Sequence, residues 1–237
     1  NYVFIMQSVV LIGTSAAIWL FVEEPQANVS KFRYATSLNP FAAMFEMKKL
    51  LSAAIITFLA AVFLTSFATT AFDNAFNYFI KAEFDFPTSY NGIIKAVIGL
   101  IGLTANFTIN IYLANKTNIR KSIIIVLALC GVSAFIVCFI SDITYFILAC
   151  LVFFTFNSIY LPIQQVLVTK GNDAEASGAI SGIFNSIRSV GMIFGALFAG
   201  FIYSIGSTLP FICSAITFSL GAAVSYINFL QYKGGKT

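Results

Sequence analysis

Apolar residues run along this chain in seven stretches, about 2–22, 50–80, 93–114, 122–140, 143–168, 178–205 and 208–231, separated by polar breaks. Each stretch is long enough to cross a hydrocarbon layer of about 30 Å. A backbone in lipid finds no water to bond with and must satisfy its own N–H and C=O groups, so the pattern predicts seven helices. The breaks are unequal. Residues 23–49 are long and polar, whereas Ser141-Asp142 and Gly206-Ser207 are about as short as turns can be. The pattern therefore divides the chain into a lone span at 1–22, a linker at 23–49 and a compact six-helix block at 50–237. Within the linker, Asn39-Pro40 reads as an N-cap followed by a proline at the first helical position. The predicted fold class is all-α, a polytopic transmembrane helix bundle.

Composition agrees, with 59% hydrophobic residues, 9% charged residues and a mean hydropathy of +0.91, against about 25% charged in ordinary soluble domains. The first stretch is no signal peptide by its features: Asn1 is not an initiator Met, no basic segment precedes it, and it is too long for a typical signal core. It reads as a span cut from something longer. Basic residues set the orientation, since Lys and Arg near span ends stay cytoplasmic. Ten of the thirteen fall on one side: Lys31, Arg33, Lys48 and Lys49, then Lys116, Arg120 and Lys121, then Lys170, then Lys233 and Lys236. Lys81 and Lys95 flank the opposite loop, and Arg188 lies in the sixth span. The expected topology is that of a plasma-membrane protein with an external N-terminus and a cytoplasmic C-terminus.

Candidate chemistry is sparse. Cys130, Cys138, Cys150 and Cys213 fall singly inside apolar runs, with no CxxC pair and no His in the chain, so neither a metal nor a disulfide framework is expected. The lack of His removes the commonest general base, and no GxxxxGK[ST] loop is present to hold ATP. The sequence predicts neither an enzyme nor a cofactor. Its basic loops carry no interleaved aromatics, so nucleic-acid binding is not implied.

Two ionisable residues stand out within spans, Asp73 and Arg188, where a charge costs about 2.5–3.5 kcal/mol on insertion scales. Ser66, Thr69, Thr70, Asp73 and Asn77 recur at steps of three and four, a polar stripe down one face of the second span, as expected of a helix lining a wet cavity. Phe72, Phe76 and Phe79 sit beside the stripe, where their faces suit flat lipophilic cations or neutral compounds. In the fifth span Asn157, Ser158, Gln164 and Gln165 offer hydrogen bonds to a substrate or to neighbouring helices. Gly178/Gly182 and Gly191/Gly195 form two small-xxx-small pairs expected to let a helix approach closely. Arg188 needs a partner, and the chain offers no obvious acid. Removing the Asp73 charge is expected to leave the fold no less stable.

The segment Gly178 to Gly200, with Gly182, Arg188, Gly191 and Gly195, resembles helix eleven of the major facilitator superfamily, and is closest to its drug:proton antiporter branch, with Ala196 in place of a proline. Pro162 falls where helix ten of that family usually has one. Leu113-Ala114-Asn115-Lys116-Thr117-Asn118-Ile119-Arg120-Lys121 is similar to the family's L-A-D-R-x-G-R-R loop, with Asn115 for the acid and Asn118 for the glycine. The resemblance implies that the seven spans match helices six to twelve, that the long loop is the central linker, and that spans two to four and five to seven are inverted repeats. Helices one to five would be partners supplied from outside this chain, with an acid or carbonyls for Arg188. Thr70 to Phe76 is similar to the helix-seven segment of multidrug efflux proteins, some of which carry Glu where Asp73 stands. The implied role is reversible protonation, because desolvation favours the neutral form of a carboxylate. Ser158 replaces a second acid found in some relatives. The expected function is proton-coupled efflux of small amphiphilic compounds. The alternatives are a nutrient or metabolite carrier of the same fold and a seven-helix receptor, against which the long first loop and Ala114-Asn115-Lys116 after span three both argue.

Overall fold

In a computed structural model of the chain, residues 2–21, 52–84, 88–169 and 174–234 are described, and all regular structure among them is helical. The expected linker at 23–49 and its Asn39-Pro40 cap lie outside these residues. The chain divides into two compact units, Asn1–Glu46 and Met47–Thr237.

The first unit contributes α1 (Tyr2–Phe21), 20 residues without a charged side chain. The second contains α2 (Ala53–Ala82), α3 (Thr88–Ala105), a π-helical turn at Asn106–Asn110, α4 (Ile111–Lys116), α5 (Ile119–Val137), α6 (Ile143–Thr169), α7 (Ala174–Tyr203) and α8 (Leu209–Gly234). Since α3, the π turn and α4 run on as one span, seven helices among the described residues are long and apolar enough to cross a membrane, as the hydropathy pattern predicts.

Local chemistry explains the helix ends. Ser52 accepts from the Ile55 N–H at 3.3 Å and starts α2. Asn118, in extended backbone, accepts from the Arg120 N–H at 3.2 Å and starts α5. Asp142 accepts from the Thr144 and Tyr145 N–H groups at 2.9 and 3.2 Å and starts α6. Each cap satisfies donors that the first helical turn leaves orphaned. Pro162 sits inside α6, where its missing N–H leaves the Ser158 carbonyl without its intrahelical partner.

In the second unit α2 is central and packs most extensively against α7 and α8, while α5 packs on α8 and α6. Lipid is as apolar as Leu, so close packing and interhelical hydrogen bonds hold such a bundle together. An aromatic core joins α2, α6 and α8: Phe72 stacks on Phe153 with centroids 3.7 Å apart and meets Phe211 edge-on at 5.0 Å, while Phe76 meets Phe154 edge-on at 5.5 Å. Each such pair adds about 0.5–1.5 kcal/mol beyond its buried area. Phe72 and Phe76 have no exposed surface, so their place in this core overturns the expectation that they line a cavity. Sequence periodicity put them beside the polar stripe but could not tell a core face from a wet one. Of the cysteines, Cys130 and Cys150 are buried, Cys138 and Cys213 are half-buried, and all four are free.

One glycine pair sets the α2–α7 distance. A Cβ on Gly191 would stand 2.7 Å from the Phe63 carbonyl oxygen, and one on Gly195 would run into the Phe67 backbone. Only the absence of a side chain permits that approach. Gly182 differs, being exposed with nothing within 4 Å of where its Cβ would stand. Its expected packing role is not met among the described residues, although it shares α7 with Gly178, Gly191 and Gly195.

Candidate functional site

The polar stripe of α2 separates into three parts. Ser66 is buried against Gly191 of α7, which corrects its expected place in a cavity. Thr69 turns to α6, where it donates to Asn157 Oδ1 at 2.9 Å and shares a 2.7 Å hydrogen bond with the Tyr160 hydroxyl. Thr70, Asp73 and Asn77 are half-buried. One turn below Thr69, the buried Gln164 of α6 donates to Thr65 Oγ1 at 3.1 Å, while its Oε1 has no hydrogen-bond partner. Gln165 is exposed, and Ser158 donates to the Thr155 carbonyl within its own helix at 2.8 Å.

Asp73 is not the lone acid that sequence reasoning expects. Lys95 of α3 donates to its carboxylate, forming an ion pair within the span. The Lys95 ammonium also lies 5.2 Å from the Phe76 ring centre and 4.9 Å from that of Phe154, within the range of cation–π attraction. One turn away, Asn91 of α3 donates to Asn77 of α2 at 3.1 Å. Positions 73 and 77 thus face 95 and 91 in the register of an antiparallel pair, and two polar rungs tie α2 to α3.

Both helices place this pair at a similar depth. Asp73 lies about 8 Å from the middle of α2, and Lys95 about 9 Å from the middle of the Ser89–Leu113 span, at 1.5 Å per residue. Half of a 30 Å hydrocarbon layer is about 15 Å. The pair therefore lies well inside both spanning helices, yet the Lys95 and Asp73 side chains keep 33% and 41% of their surface.

Arg188 sits at the midpoint of α7, half-buried beside the inward positions Phe184 and Gly191. It makes no ion pair among the described residues, and it lies within electrostatic reach of the Tyr160 hydroxyl. Thr69, Asn157 and Tyr160 form a hydrogen-bonded polar group between α2 and α6.

Sequence reasoning missed three members of these clusters. The third apolar run begins at 93 and so puts Lys95 beside a loop, but α3 starts at Thr88 and carries Lys95 two turns in. Asn91 is polar at a span end and unremarkable alone. Tyr160 hides in an apolar run, and its spacing of three from Asn157 is the one signal that could have found it. At the far end of the unit Arg120, from the loop motif, donates to Asn228 Oδ1 at 3.0 Å and stacks over Tyr232 at 3.7 Å. Asn228 in turn donates to Thr57 at 3.0 Å, binding α5 and α8 to α2. That arrangement is a packing lock.

No curated protein matches the chain significantly. The family model of the Major Facilitator Superfamily matches residues 1–196, most of the chain and all of the helices that carry the Asp73–Lys95 and Thr69–Asn157–Tyr160 clusters. Together with seven apolar helices of spanning length among the described residues, this makes the chain a multi-pass membrane protein and a secondary transporter: it belongs to the Major Facilitator Superfamily.

Proposed function

We propose that the chain serves proton-coupled export of small amphiphilic compounds by alternating access, with Asp73 as the proton-carrying group. The observation that carries this reading is the Asp73–Lys95 pair, half-exposed at membrane depth next to a polar stripe. Ionisable residues inside spans mark ion and substrate pathways by default. A proton on Asp73 removes the attraction that holds Lys95, so protonation and the α2–α3 seam are linked through a single contact.

In this reading the seven helices correspond to helices six to twelve, with Met47–Thr237 as one of two rocking halves and the remaining helices supplied from outside this chain. The clustering of Lys and Arg supports a cytoplasmic position for residues 117–118 and an external one for residues 83–87 in a plasma-membrane protein. The substrate surface would draw on Thr69, Thr70, Asn77, Asn157 and the α7 face around Arg188. A metabolite carrier is the second reading, favoured by Lys95, which neutralises the acid that would otherwise invite cations.

The test is proton-gradient-driven accumulation in vesicles reconstituted with the complete gene product. Asp73→Asn should abolish accumulation, and Asp73→Glu should retain part of it. Wild-type accumulation in the Asn variant would sink the coupling role.

A further inference from the structure

We infer that the compound handled by this transporter carries an anionic group, a carboxylate or a similar oxyanion on an apolar body, and that Arg188 receives it. The inference rests on the transport reading above and names the class of its substrate.

The argument starts from charge. Among the described residues, the ionisable groups deep in the spans of the second unit are Asp73, Lys95 and Arg188. The first two neutralise each other, which leaves one guanidinium. Arg188 stands at the middle of α7 and makes no ion pair among the described residues. A charge at that depth has to meet protein, water or a ligand, and transporter sites form near the midplane. The Tyr160 hydroxyl is in electrostatic reach of Arg188, and it shares a hydrogen bond with Thr69, which donates to Asn157. A planar guanidinium presents paired donors that fit a carboxylate.

A permanent cation meets the opposite conditions. Its natural partner, Asp73, is already held by Lys95, and the Lys95 ammonium is further fixed by Phe76 and Phe154. A cationic ligand would have to displace one cation while approaching a second, and like charges in a partly desolvated cavity repel strongly. Of the phenyl rings that sequence reasoning assigns to cation capture, Phe72 and Phe76 are packed in the core and Phe79 is half-buried against it.

The experiment uses two probes with the same ring and opposite charge, naphthalene-2-carboxylate and naphthalen-2-ylmethylammonium, in equilibrium dialysis against the purified complete protein in detergent. The carboxylate is expected to bind at least about tenfold more tightly, about 1.4 kcal/mol. Arg188→Gln should erase that preference, whereas Arg188→Lys should keep part of it. Equal binding of the two probes, tighter binding of the ammonium, or no saturable binding of either would overturn the inference, and the comparison on the unmodified protein needs no variant to fold. Dialysis involves no proton gradient. An anion preference in a protein that shows no proton-driven accumulation would remove the coupling role of Asp73 and leave this inference standing.

Discussion

Lys95 reaches across from α3 to the carboxylate of Asp73 on α2, with the ring centres of Phe76 and Phe154 5.2 and 4.9 Å from its ammonium. The pair changes what Asp73 means. A lone acid in a span has to be neutral or hydrated, whereas a paired acid can stay ionised and still lie deep, because its charge is compensated locally. The contact is also one of two polar rungs between α2 and α3, the other being Asn77–Asn91. Any event that discharges Asp73 therefore acts on the packing of two helices as well as on a proton.

This pairing predicts a stability order that the sequence alone reverses. Asp73→Asn strands the Lys95 ammonium, so the single variant should lose about 1–2 kcal/mol, less than a fully buried pair would because both side chains keep a third or more of their surface. The double variant Asp73→Asn, Lys95→Gln should recover most of that loss. Thermal unfolding of the detergent-solubilised protein measures the order. An Asp73→Asn protein as stable as wild type would show that the pair contributes nothing to the fold.

The second prediction concerns the hydroxyl shared by Thr69 and Tyr160, 2.7 Å apart. Interhelical hydrogen bonds in membrane proteins are worth about 0.6 kcal/mol on average and up to about 1.7. Thr69→Val and Tyr160→Phe should each cost around that amount. Their double variant should cost clearly less than the two losses added together, since either change alone breaks the same bond. Full additivity in the cycle would mean that the two groups do not interact.

Much of the architecture could be read in the sequence because lipid imposes one rule on every span: apolar and about twenty residues long. That rule produced seven helices with ends within a few residues of those observed, apart from α3, where Ser89, Tyr90 and Asn91 disguise the first turn. The site was less legible for a physical reason. A helical stripe gives the angular position of Ser66, Thr69, Asp73 and Asn77 but not the neighbour each one meets. Ser66 met a glycine, Thr69 a tyrosine and Asp73 a lysine. Those partners lie 22 to 125 residues away in the chain, and no local periodicity encodes them. The π turn at Asn106–Asn110 was likewise invisible, since its residues, Asn-Phe-Thr-Ile-Asn, do not distinguish it from an α-helical turn.

Topology supplies the third prediction. Arg120 and Lys121 stand at the 117–118 turn, whereas the opposite end of the unit has Lys81 beside its first turn and no basic residue at 138–142 or 204–208. The bias predicts that reporters inserted at 83–87 or 138–142 are external and that one at 117–118 is cytoplasmic. An impermeant label reaching 117–118 in intact cells would reverse the whole assignment.

The last prediction separates two glycines that look alike in sequence. Gly191 and Gly182 both open a small-xxx-small step or close one on α7, yet a Cβ on Gly191 would lie 2.7 Å from the Phe63 carbonyl and 3.1 Å from the Ser66 Cβ, whereas Gly182 has open space. The obstacle at Gly191 is backbone, which cannot rotate out of the way, so α7 would have to move off α2 along its length. Gly191→Val should therefore cost about 1–3 kcal/mol, the usual range for overpacking. Gly182→Val should stay within about 0.5 kcal/mol of wild type, as surface substitutions usually do. Because α7 carries Arg188 one turn from Gly191, the first variant should also weaken binding of the naphthalene carboxylate, while the second should not. Thermal unfolding and the dialysis assay, applied to both variants, decide the matter: equal losses at the two positions would mean that the α2–α7 seam is not the close contact that the backbone geometry describes.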